Sequence, residues 1–119
     1  MKVGDRAETT RAFAAADAAA FAALAGAAEA PTTVPEPLIN ALFSYLLGVE
    51  LPGFGTNYLK QETRFRAAAP YGEPLTASVT VTRLRPDKHL VDLATECRRA
   101  DGTLVAEGRA LVFVKDRVG

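Results

Sequence analysis

The sequence predicts an α+β domain in which a curved antiparallel sheet wraps one apolar helix. Three observations lead there. Residues 35–53, P-E-P-L-I-N-A-L-F-S-Y-L-L-G-V-E-L-P-G, read as a helix carrying two adjacent apolar stripes. The second half of the chain alternates apolar and polar residues through four long stretches separated by turn signals. At 119 residues there is room for one core of this kind and no second, so residues 1–119 are expected to form a single domain.

The first expected element is a short edge strand over 7–11, where Thr9 and Thr10 suit a strand better than a helix. Residues 14–24 are almost pure alanine with Asp17, Phe21 and Leu24, which predicts a helix with a thin apolar stripe. Asp17 suits its N-terminal half through the helix dipole, and Gly26 is the expected stop. A short connector, 27–34, follows.

In the central helix, Leu38, Ala41, Leu42 and Tyr45 share one face, and Ile39, Leu42, Phe43 and Leu46 the next. Two such stripes predict a helix covered on most sides. Pro37 suits its first position, and Gly48 is expected to close it in a left-handed cap before Pro52 and Gly53. At roughly 1.5 Å per residue it reaches about 18 Å, too short to cross a bilayer.

Four strands follow. In 57–67, Leu59, Gln61, Thr63 and Phe65 are expected to face the helix, with Tyr58, Lys60, Glu62, Arg64 and Arg66 outside. In 75–84, Leu75, Ala77, Val79 and Val81 alternate with hydroxyl residues. In 89–98, Val91, Leu93, Thr95 and Cys97 share a face. Asp101-Gly102 signals a hairpin into 103–115, where Ala106, Gly108, Ala110, Val112 and Val114 face one way.

Composition excludes several classes of function. Fourteen basic and fourteen acidic side chains give zero net charge without a basic stripe, which argues against nucleic acid and membrane surfaces as partners. One cysteine allows no internal disulfide framework, and one histidine does not supply the usual zinc sets; no cofactor or metal is expected. The N-terminus, M-K-V-G-D-R-A-E, lacks the apolar run of a signal peptide, so a cytoplasmic location is expected.

The order of elements and the residues that fill them resemble one known family. V-G-D-R-A-E-T-T-R-A-F-A-A-A-D-A-A-A-F-A-A-L-A-G at 3–26 is similar to the opening of MaoC-like (R)-specific enoyl-CoA hydratases and dehydratases. L-F-S-Y-L-L-G-V-E-L-P-G-F-G-T-N-Y-L-K-Q-E-T-R-F at 42–65 resembles that family's central helix and next strand. Y-G-E-P-L-T-A-S-V-T-V at 71–81 and the later D-G-T-L-V-A-E-G-R-A-L-V continue the likeness over nearly the whole chain.

The resemblance implies a hot-dog fold and an acyl-thioester substrate carried on coenzyme A or acyl-carrier protein. Its hydration chemistry needs a carboxylate and an imidazole flanking one water, and a backbone N–H at the central helix start to polarise the thioester carbonyl. Here the pattern departs. Ala27 follows Gly26 where the family places its aspartate, and the segment before the central helix is short of the family's usual length, without the histidine. The family's His-Gly at the helix entrance is Pro35-Glu36, and Pro37 removes one N–H donor. The carboxylate that hot-dog thioesterases carry on this helix would, counted from Pro37, fall on Ser44.

The implied function is therefore a subunit without its own Asp/His dyad, paired as a homodimer or as a heterodimer with a catalytic hydratase. The alternatives are an enzyme using other residues, as a dehydratase or a thioesterase, or an acyl-ligand-binding module. Glu36, Asn40 and Ser44 are the catalytic candidates, and with Gln61 the substrate-binding candidates. Each has a plainer reading: Glu36 as an exposed charge favoured by the helix dipole, and Asn40 with Ser44 as a buried hydrogen-bonded pair four residues apart. His89 reads as a solvated turn residue and Cys97 as core packing. Arg64, Arg66, Arg98 and Arg99 are solvent-face charges or a grip for coenzyme A phosphates.

Overall fold

The computed structural model describes residues 1–26 and 32–114. In chain order these form β1 (Arg6–Arg11), α1 (Ala15–Ala25), α2 (Glu36–Tyr45), one π turn (Leu46–Glu50), β2 (Thr56–Phe65), β3 (Leu75–Arg85), a 3-10 turn (Pro86–Lys88), β4 (Leu90–Arg99) and β5 (Leu104–Val114). The strands make one sheet in the order β1-β3-β4-β5-β2, with every neighbouring pair antiparallel. The expected connector at 27–34, Ala27 included, and the expected last strand residue Lys115 lie wholly or partly outside the described residues.

The alternation of the last three strands sets the core. Leu75, Ala77, Val79 and Val81 on β3, Val91, Leu93 and Cys97 on β4, and Ala106, Ala110, Val112 and Val114 on β5 are all essentially inaccessible. They meet Ile39, Leu42 and Phe43 of α2 and Leu46 and Leu47 of the π turn. Truncating Phe43 to alanine in such a core would cost about 3–5 kcal/mol. The β4–β5 hairpin closes where expected: Gly102 takes φ 89°, and Asp101 Oδ1 accepts the Thr103 N–H at 2.9 Å. No helix among the described residues is long and apolar enough to cross a membrane.

The structure corrects five local expectations. The central helix does not end in a left-handed cap at Gly48. It widens into the π turn, with Leu51 N–H donating to Leu46 O at 2.7 Å, and the left-handed position is Gly53, whose N–H reaches Leu47 O at 3.0 Å. Leu46 and Leu47 of this turn are both on the core face. Pro37 stands at the second helical position, one residue beyond expectation and still within the turn whose N–H groups lack helical partners.

The helix is also covered on one face and not on most sides. Ile39, Leu42 and Phe43 are buried, whereas Ala41 and Tyr45 of the other stripe are exposed. In α1 the buried residues are Ala18 and Ala22, and Leu24 is 91% exposed, so the expected Phe21/Leu24 stripe is not what seats this helix. Finally, β2 carries a bulge between Tyr58 and Lys60, which pair with Val112 and Leu111. Leu59 is the extra residue and stands exposed, while Tyr58 turns toward α2.

Gly108 lets β2 close against β5. A Cβ at Gly108 would meet Glu62 O at 1.8 Å, so no side chain fits there without moving β2.

Candidate functional site

The polar side chains of α2 gather at its seam with β2. Asn40 Oδ1 accepts from Thr63 Oγ1 at 3.0 Å and from Gln61 Nε2 at 3.4 Å, and Gln61 Nε2 also lies 3.3 Å from Thr63 Oγ1. One helical turn on, Ser44 Oγ accepts from the Tyr58 hydroxyl at 3.2 Å. Burial raises the Tyr58 pKa, and the Ser44 contact opposes that rise. Asn40 and Ser44 thus do not pair with each other, as the helix spacing had suggested; each reaches across to the strand. The Asn40 carbonyl serves two donors, and its NH₂ group meets no acceptor among the described residues.

Glu36 sits apart, exposed at the start of α2, on a hollow of about 370 Å³ lined by Thr33, Ile39, Phe65 and residues 66–69. At this entrance Leu38 N–H and Ile39 N–H both donate to Pro35 O, at 3.0 and 3.4 Å, and Pro37 has no N–H. Among the described residues, the Glu36 N–H is the donor of this turn that meets no carbonyl.

The remaining candidates fall elsewhere. His89, in the turn before β4, is half-buried and packs edge-on to Phe113 with ring centres 5.7 Å apart. It is a packed residue and not a fully solvated one. Its carbonyl accepts the Val114 N–H, level with Thr56 on β2, whereas the Glu36 hollow includes Phe65, which pairs with Ala106. Eight residues of strand separate these two levels, roughly 27 Å at about 3.4 Å each.

Cys97 is inaccessible, and burial pushes its thiol up to about 11, which fits core packing. Arg66 pairs with Glu107, Arg98 with Glu96, and Arg99 with Glu73 and Asp101. Arg64 alone of the four has no hydrogen-bonded carboxylate among the described residues. Tyr58 and Thr63 escaped sequence reasoning as site residues: Tyr58 because the bulge reverses its side, and Thr63 because its helix-facing position beside Gln61 does not by itself show that its hydroxyl meets Asn40.

A larger hollow, about 580 Å³, lies on the outer face of the sheet. Its charges offset one another, with Arg6, Arg64 and Arg109 against Glu62, Glu96 and Glu107, and it holds none of the α2 residues.

No family model matches the chain. The (R)-specific enoyl-CoA hydratase of Aeromonas caviae is 37% identical over 126 residues, covering 94% of each protein. The enzyme of the same description from Rhodospirillum rubrum is 41% identical over 87 residues, covering 72% of this chain and 60% of that one. The solved structure of the (R)-hydratase from A. caviae involved in PHA biosynthesis superposes with a TM-score of 0.88 over 96% of this chain and 97% of that one, at 37% identity. The architecture is the hot-dog fold that the sequence resembled. The first alignment spans 126 positions against 119 residues in this chain, so the A. caviae protein has residues with no counterpart here.

Proposed function

This chain belongs to the MaoC-like (R)-specific enoyl-CoA hydratase family, and we propose that within it the chain is an acyl-thioester-binding subunit without its own hydration dyad. It works beside a catalytic hydratase subunit or a second copy of itself, and shapes the groove in which the acyl thioester lies.

One observation carries this reading. Addition of water to an enoyl thioester needs a base and an acid on one water beside the α and β carbons. The chain's single imidazole, His89, is packed on Phe113, roughly 27 Å along the sheet from the entrance of α2. The position after Gly26, where the resemblance places the aspartate, is Ala27 and cannot ionise. The entrance itself is reduced to the Glu36 N–H, which would have to polarise a thioester carbonyl alone.

The seam is better suited to binding. The NH₂ of Asn40, which meets no acceptor among the described residues, and the hydroxyl of Ser44 offer donors to a polar group of a ligand, and neither is a base at neutral pH. Pairing is supported by the apolar surface around the open edge of β2: Val49, Phe54, Tyr58 and Leu59 are all exposed in the single chain.

The test is a hydration assay on crotonyl-CoA, first with the purified chain and then with a co-encoded hydratase added. Loss of one acid–base group lowers rates by about 10²–10⁴-fold, so the chain alone is expected to show essentially no turnover. Ala27→Asp is expected not to restore it, because no imidazole accompanies the carboxylate. Robust turnover by the isolated chain, abolished by Glu36→Gln, would overturn the proposal in favour of an enzyme that uses other residues.

A further inference from the structure

On the other flank of α2, away from Asn40 and Ser44, a groove of about 440 Å³ runs between α1 and α2. It exists because α1 buries only Ala18 and Ala22, side chains too short to fill the space between the helices. Phe13, Phe21, Leu24, Leu38, Leu42 and Tyr45 make it apolar. Phe13 and Leu42 are buried at its base, and Leu24 is 91% and Tyr45 47% exposed along its rim.

The polar groups at its mouth are unequal. The Arg11 guanidinium lies 4.7 Å from the centre of the Phe13 ring and has no ion pair among the described residues. Asp17, the carboxylate on the groove, already accepts the Ala14 N–H at 2.8 Å. With one face against Phe13, the guanidinium keeps its N–H edge free, and that fork matches a carboxylate. The groove is of small-molecule size, apolar within and cationic at one end. A helix about 10 Å across would fill 440 Å³ with roughly one turn, too little to anchor a protein segment.

We propose that this groove binds a free, single-chain carboxylate of the fatty-acid type. The alkyl chain lies between Phe21 and Leu24 of α1 and Leu38 and Tyr45 of α2, and the carboxylate rests on Arg11. This site is separate from the α2–β2 seam and does not depend on the function proposed for it.

Isothermal titration calorimetry of the full chain with decanoate, below its micelle-forming concentration, tests the proposal, with acetate and decanol as probes of head and tail. Decanoate is expected to bind at one site per chain and acetate not to bind. Arg11→Gln is expected to weaken decanoate about tenfold or more and to leave decanol unchanged, while Leu24→Glu weakens both. Both residues are exposed, so the variants should melt like the parent. The proposal fails if decanoate does not bind, or if Arg11→Gln leaves its affinity unchanged. It fails equally if Leu24→Glu turns a dimer into a monomer by light scattering without altering decanoate affinity, since a second copy would then be what covers the groove.

Discussion

Replacing Asn40 with leucine is the sharpest probe of the α2–β2 seam. The substitution removes the acceptor of two donors, Thr63 Oγ1 at 3.0 Å and Gln61 Nε2 at 3.4 Å. The second contact is at the long limit, and Gln61 Nε2 also lies near Thr63 Oγ1, so the Thr63 bond carries most of the effect. A buried hydroxyl left unsatisfied costs about 1–3 kcal/mol. Asn40 and Thr63 are only half-buried, so water can reach part of the site and the loss should fall near the lower end, about 1 kcal/mol. For a chain of 119 residues that lowers the melting temperature by about 4 °C. Thr63→Val in the Asn40→Leu background removes the stranded hydroxyl. The double variant should recover most of the loss, giving a coupling of about 0.5–1 kcal/mol in a urea-denaturation cycle. Strictly additive single effects would refute the idea that Asn40 and Thr63 act as a pair. An Asn40→Leu protein as stable as the parent would mean that Asn40 serves a ligand and contributes nothing to the fold.

Ser44→Ala should cost under about 0.5 kcal/mol, because Ser44 and Tyr58 are exposed and water can replace their bond; thermal melts check this directly. Gly108→Ala should destabilise by about 3 kcal/mol or more, since its Cβ would fall 1.8 Å from Glu62 O on the paired strand and β2 must shift. Urea denaturation measures that loss, and a neutral result would mean that β2 does not lie so close to β5. Cys97 should resist a thiol reagent at pH 8 in the folded protein and react once urea is added. Its thiol ionises near 9.0 when unfolded and near 11 when folded, so unfolding releases a proton between these values. This group's contribution to stability is therefore complete below about pH 9 and falls as pH rises toward 11. Leu59→Asp, at an exposed position on the open β2 edge, should shift the chain toward monomer in light scattering if that edge is where subunits pair.

The sequence by itself determined the parts of this protein that depend on short-range periodicity. The inward faces of β3, β4 and β5 follow from apolar residues at every second position. The core stripe of α2 follows from Ile39, Leu42, Phe43 and Leu46 at helical spacing. The hairpin at Asp101-Gly102 and the stop at Gly26 follow from residues that accept a left-handed backbone. The resemblance over nearly the whole chain led to the right family, and the identity of residue 27 and the single histidine are visible without coordinates.

Only the tertiary structure decided how these pieces meet. The strand order puts β2 at an edge beside β5, and no local pattern contains that information. The bulge at Leu59 reverses the sides of Tyr58 and Leu59, because register is set by the partner strand and not by the alternation within β2. Asn40 and Ser44 are four apart on one helix, yet each bonds to β2, because the strand brings Thr63 and Tyr58 into hydrogen-bonding range. Leu24 reads as a core residue and is solvent-exposed, because apolar spacing shows that a helix has an apolar face but not whether another element lies opposite it.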